Sequence, residues 1–345
     1  MLDYVIMMGI LAFFVLLLTS GSKYIASGNN NFFDRDNTKA MRGFWCLIVI
    51  FVHIPAAYQN KIQDLIGSFA YIGVTFFFMT SAYGLSVGIS QKLNSTERFW
   101  TNRLTKLILP NWVSNVVIIL LDMILFAGSF RLGSLLQINV WVRWLLVCYV
   151  AFWIGYCFKW NEKIRRTIVC VIVIAFSLLL YILKLRGIVQ TTTWCTESIG
   201  FVWGIVLFTN YDRIKKFSCQ KWMLKVSVTC LSSLVLGVSY LSFKHIVFWG
   251  DYILKILLGV AILAFILLLN EKIQIGNKIS YFLGSISFEI YLMHCFMFEI
   301  VENVLPNINS SCFIILSIII TVILSTIVHI ICDKLLKLLK KAKIF

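Results

Sequence analysis

Eleven apolar runs, at 4–20, 40–58, 65–89, 107–130, 141–158, 167–183, 191–209, 223–243, 252–269, 280–304 and 312–332, follow one another along this chain. Each holds about the 20 residues that a helix needs to cross a ~30 Å hydrocarbon core. No polar stretch between them exceeds about 20 residues, so no soluble domain is expected between them. Only helices and closed barrels satisfy their backbone inside lipid, and runs of this length are helical. The expectation is an all-α polytopic membrane protein of about 11 transmembrane helices. A chain 60% hydrophobic and 13% charged excludes a soluble enzyme. The opening run lacks a basic leading segment and a cleavage site, and reads as a membrane helix, not a signal peptide. Residues 1–30 are assigned to this extra helix and its linker, 31–332 to a membrane core, and 333–345 to a basic amphipathic tail on the inner leaflet.

The 31 Lys and Arg are not evenly spread. Twenty-three fall on one alternate set of connections and the C-terminal tail, and six on the other set. By the positive-inside rule the N-terminus is outside and the C-terminus cytoplasmic. The net charge of +16 then reflects topology and anionic membrane lipid, so no nucleic-acid partner is expected. The ten cysteines lie mostly in apolar runs and read as packing residues.

Against this background Arg42 and His53 stand out, eleven residues apart in one apolar run. That spacing is three turns plus about 20°, so both lie on one stripe, with a rise of roughly 16 Å between them. Arg42 sits at the inner edge, and His53 near or beyond the midplane. An ionisable residue in the membrane is a functional candidate by default. By the same count Glu197 falls at the outer end of its helix, Glu289 at the depth of His53, and His294 roughly 8 Å further out. Arg98, Arg103 and Lys106 gather on the cytoplasmic side beside Arg42. Cations at the inner face suit a phosphate-rich cytosolic ligand. A histidine with a carboxylate partner suits a general base acting on a hydroxyl from outside. Each feature also has a structural counterpart: a histidine bonded to a backbone carbonyl, a carboxylate at the interface, a cationic anchor.

Other chemistry finds no motif. No phosphate-binding glycine loop follows a strand, and no nucleophile elbow is present. The four histidines, at 53, 245, 294 and 329, lie on four segments with no metal-ligand spacing, and His245 and His329 read as loop and packing residues.

Four stretches, in order, are similar to the acyltransferase family 3 membrane proteins, bacterial inner-membrane O-acyltransferases. They are Arg42-Gly43 with His53; Gly73-Val74-Thr75-Phe76-Phe77-Phe78-Met79-Thr80-Ser81; the basic segment from Arg98 through Arg103 and Lys106 to Pro110; and Ser287-Phe288-Glu289-Ile290-Tyr291-Leu292-Met293-His294. The chain departs from the family pattern at Ala82, where glycine is usual, and at Lys106, where arginine is usual. It also has one additional residue before Pro110. The resemblance implies a ten-helix core and an acyl-CoA donor, most often acetyl-CoA, used as cosubstrate with no bound cofactor and no metal. It implies a hydroxyl acceptor on a surface polysaccharide or lipid-linked sugar. It makes His53 catalytic, as general base or as acyl carrier, with Arg42 orienting it or holding the donor. Glu289, His294 and Glu197 complete the catalytic set, with Glu289 and Glu197 the partners expected to fix the tautomer of His53. Arg103, Lys106, Arg98 and Ser81 would hold the donor. The location implied is the bacterial cytoplasmic membrane, with room for a homo-oligomer. Some relatives carry an extracytoplasmic esterase-like domain; this chain ends at Phe345 without one, so transfer is expected to be direct or to use a separate partner.

A transporter or lipid-linked glycan flippase is the alternative reading, in which the buried polar residues line a path. It requires no cytoplasmic cation cluster aligned with a membrane histidine, and no inverted repeat is evident. A glycan polymerase or ligase would bring a large outside loop, and the outside loops here are short.

Overall fold

In the computed structural model, residues 2–28, 33, 35–91, 96, 98–190 and 195–341 are described. Among them the chain is helical apart from connections and one two-stranded ladder. The helices are α1 (Leu2–Thr19), α2 (Arg35–Val52), α3 (Lys61–Gly67), α4 (Tyr71–Gln91), α5 (Phe99–Phe126), α6 (Leu132–Leu136), α7 (Val140–Cys157), α8 (Glu162–Leu185), α9 (Ile199–Thr209), α10 (Tyr211–Cys219), α11 (Trp222–Phe243), α12 (Lys255–Lys272), α13 (Lys278–Ser285), α14 (Ser287–Val304) and α15 (Ser310–Lys341). Each of the eleven apolar runs contains one of these helices. Seven helical stretches are long and apolar enough to cross a bilayer, and α13 with α14 makes an eighth if that bent pair is one span. Helices α1 and α9 are apolar but shorter. The protein is an all-α polytopic membrane protein.

Two sets of contacts separate the ends of the bundle. Strand β1 (Lys23–Tyr24) pairs antiparallel with β2 (Ile273–Gln274), and Asn277 donates to the Leu17 and Ser20 carbonyls at the end of α1. At the far end of α2, Asn60 donates to Ser310, whose hydroxyl is bonded to the Tyr58 carbonyl. Both pairings join connections of like charge class, which is what an alternating topology requires. Residues 333–341 continue α15 without a break.

Glycines set the closest crossings. A Cβ on Gly43 of α2 would meet the Ser280 carbonyl, and one on Gly284 of α13 would meet the Lys39 carbonyl. On α9, a Cβ at Gly200 or Gly204 would strike the Thr75 or Met79 carbonyl of α4. Small residues four apart let membrane helices approach to backbone contact.

Three breaks depart from straight helices. Helix α2 stops at Val52 because Pro55 disfavours helical geometry at Ile54. Buried Gln63 of α3 donates to the freed Phe51 carbonyl at 3.2 Å. The expected run 280–304 bends by 74° between α13 and α14. After α5 the chain folds back: Asn111 donates to the Gln137 carbonyl at 2.8 Å, and Asn139 N–H donates to Asn111 at 2.9 Å. Asn111 lies roughly 18 Å from the start of α5, so this return runs down the helix instead of crossing the surface. It brings Trp141, at the start of α7, into the middle of the bundle.

Candidate active site

Helix α2 carries Arg42 beside one cavity, and His53, in the turn just past its last residue, lines a second. One, termed the inner cavity after the side expected for Arg42 and about 150 Å3 in volume, is lined by Arg42, Ser81, Trp141, Tyr149, Ser287 and Tyr291. The outer one, about 320 Å3, is lined by His53, Tyr71, Glu197, Tyr240, Asp251 and Lys255. Arg42 Nε and His53 Nε2 are both buried with no hydrogen-bond partner. A buried donor or acceptor left unpaired costs about 1–3 kcal/mol, so these two, each on a residue that lines a cavity, are candidate positions for a ligand.

The two cavities are joined by aromatic rings. Trp141 and Tyr291 have centroids 5.1 Å apart, Tyr291 and His294 5.5 Å, and His294 and His53 5.0 Å. His294 is 2% exposed. Its Nδ1 donates to the Tyr291 carbonyl at 2.8 Å, with the Ile290 carbonyl at 3.2 Å. The bare nitrogen is then Nε2, 3.4 Å from Cys295 Sγ.

The expected carboxylate partners of His53 are engaged elsewhere. Glu289 Oε1 lies 2.8 Å from His329 Nδ1 on α15. The straight-helix depth count fails because α14 begins afresh after the 74° bend, so Glu289 lies in its first turn and His294 comes level with His53. His329, read as packing, is thus a hydrogen-bond partner of Glu289. Glu197 lies in the turn before α9, not on it, and pairs with Lys255 Nζ at 2.7 Å while accepting from Thr196 at 2.8 Å.

Of the expected donor-side set, Ser81 and Lys106 line different cavities. Ser81 faces the Tyr149 hydroxyl in the inner cavity, and Arg103 stands beside Tyr149 with its guanidinium against Gly88. Lys106 lines a small cavity with Leu336 and Lys340 of α15, and Arg98 is exposed at the start of α5. Arg103 lies about one turn before Leu107, which lines the inner cavity, and Lys106 directly before it.

Sequence reasoning missed the cation of the outer cavity. Lys255 follows a π-helical turn, Trp249–Leu254, which leads into α12. Such turns widen a helix and often mark functional positions. Asp251 in that turn accepts from Tyr181 at 2.7 Å and from Phe248 N–H at 2.8 Å, and lies 3.9 Å from Lys184. The signal was present: Lys255 stands in an otherwise apolar run, as do Arg42 and His53.

Comparison with curated proteins and with solved structures finds no match. The acyltransferase domain of family 3 matches residues 35–330, which takes in α2 through most of α15 and both cavities. The chain therefore belongs to acyltransferase family 3, and its activity is that of an acyltransferase.

Proposed function

We propose that this protein moves an acyl group, acetyl in the simplest case, from cytoplasmic acyl-CoA to a hydroxyl of an extracytoplasmic or lipid-linked glycan in the bacterial cytoplasmic membrane. The observation that carries this reading is the pair of unpaired polar atoms on Arg42 of α2 and on His53 in the turn that follows it, residues that line the inner and the outer cavity. Arg42, aided by Ser81 and Arg103, holds the donor so that its thioester reaches past Tyr291. The outer cavity, with its Glu197–Lys255 pair and its tyrosines, takes the acceptor sugar through hydrogen bonds and ring stacking.

In the reaction His53 accepts the proton of the acceptor hydroxyl. The oxygen attacks the thioester carbonyl, the C–S bond breaks, and the thiolate leaves with the proton from His53. No net proton is gained or lost. Neither Glu197 nor Glu289 bonds to the imidazole, and the neighbour is a second histidine; this favours a neutral His53, the form that accepts a proton. Direct transfer needs no acyl-histidine.

The test is transfer of radiolabelled acetyl from acetyl-CoA to isolated surface polysaccharide by membranes holding wild type or His53→Ala. Transfer is expected with wild type alone. Equal transfer with both would overturn the mechanism, and movement of unmodified glycan without label would favour a transporter.

A further inference from the structure

His53 and His294 have a third neighbour that the acyl-transfer reading does not use. The ligating atoms of His53, His294 and Cys295 all lie within 4.8 Å of one another. They come from the end of α2 and the middle of α14, so no spacing along the chain reveals them.

We propose that His53, His294 and Cys295 form a binding site for a thiophilic cation of the Zn2+ class, and that its occupancy switches acyl transfer off. The site is built in the way metal sites are built. His294 donates Nδ1–H to a backbone carbonyl, which fixes its ring and leaves Nε2 as the ligand nitrogen. His53 Nε2 is buried with no partner. Cys295 Sγ lies 3.4 Å from His294 Nε2. With Zn–N near 2.0 Å and Zn–S near 2.3 Å, a tetrahedral ion separates such donors by about 3.5 Å. One edge is already at that length. The others close by roughly 1 Å if the His53 ring tilts, and His53 lies just past the last helical residue of its element.

Donor chemistry selects the ion. Two imidazole nitrogens and one sulfur, with no carboxylate oxygen in the set, suit Zn2+ or another thiophilic ion and exclude Mg2+ and Ca2+. An entry route exists, since His53 lines the outer cavity, where Glu197 and Asp251 stand beside Lys255 and Lys184. On binding, the Cys295 S–H bond breaks, an S–Zn bond forms, and one proton leaves to solvent. Three protein ligands leave the fourth position to water. The inhibitory consequence rests on the proposed role of His53: a lone pair bound to zinc cannot accept a proton from the acceptor.

The experiment uses the full chain purified in detergent. Co2+ serves as a spectroscopic probe, and Zn2+ binding is measured by equilibrium dialysis. Wild type is expected to bind one equivalent with a cobalt–thiolate charge-transfer band. Cys295→Ser should lose that band and bind Zn2+ at least about tenfold more weakly, with acyl transfer without metal unchanged and no longer inhibited by micromolar Zn2+. His53→Ala should weaken Zn2+ binding to a similar degree. A wild-type protein without the band, or a Cys295→Ser protein that binds and is inhibited like wild type, would overturn the proposal. If zinc binds as described while His53→Ala still transfers acetyl, the site stands and the catalytic reading falls.

Discussion

His53 and His294 face each other with ring centroids 5.0 Å apart, across the packing of α2 on α14. The nearest ring to the proposed base is therefore another imidazole, with its own Nδ1–H held by a main-chain carbonyl. Such a neighbour keeps Nε2 as its bare nitrogen, 3.4 Å from Cys295 Sγ.

Removing the proposed base should stop chemistry and leave donor binding intact. General base catalysis contributes about 10²–10⁴-fold, so His53→Ala is expected to lose at least 100-fold in kcat. Its affinity for acetyl-CoA, measured calorimetrically, should change by less than threefold. A parallel loss of donor affinity would move His53 out of the base role.

Arg42 lines the inner cavity with a buried, unpartnered Nε. A lysine retains the charge and loses the planar fork. Arg42→Lys should raise the donor KM by about tenfold while the acceptor KM stays within a factor of two. Steady-state kinetics with each substrate varied in turn decides this, and a change confined to the acceptor would reverse the assignment of the two cavities.

Glu197 and Lys255 form a buried pair at 2.7 Å in the wall of the outer cavity. Breaking one side leaves the other charge uncompensated, at a cost of about 3–5 kcal/mol where burial is complete and less here, since Lys255 is 20% exposed. Glu197→Gln and Lys255→Met should each lower thermal stability and raise the acceptor KM. The double variant should recover part of the lost stability. Fully additive losses would show that the pair does not act as a unit.

Glu289 should couple energetically to His329, 2.8 Å away, and not to His53. Double-mutant cycles on unfolding in detergent should give about 1–3 kcal/mol for Glu289 with His329 and close to zero for Glu289 with His53. The reverse pattern would restore Glu289 as the partner of the base.

The α4–α9 crossing should tolerate nothing larger than glycine at position 204. A Cβ there meets the Met79 carbonyl and lies 2.8 Å from the Ala82 Cβ. Gly204→Ala should destabilise by about 1–3 kcal/mol, the usual cost of overpacking. An unchanged melting temperature would mean that the two helices separate easily.

The amino-acid sequence by itself determined the membrane class, the helical content and the sorting of basic connections, and it singled out Arg42 and His53 as candidates. These follow from one-dimensional rules: the length of an apolar run against the bilayer, the side on which cations fall, and the 3.6-residue period within one helix. The domain match at residues 35–330 agrees with the four ordered stretches that suggested the family.

Only the tertiary structure decided who meets whom. Depth counted along straight helices put Glu289 level with His53, and a 74° bend gave that place to His294. The same count gathered Arg98, Arg103 and Lys106, and the fold sets Arg103 beside Tyr149 and Lys106 in a small cavity with residues of α15. Lys255 and Cys295 became visible through helices remote in sequence, since a cavity is made by the faces of several elements at once. Bends, fold-backs and crossings depend on a few local breaks, such as Pro55, and on glycine contacts between helices. No periodicity within a single run encodes where those contacts fall.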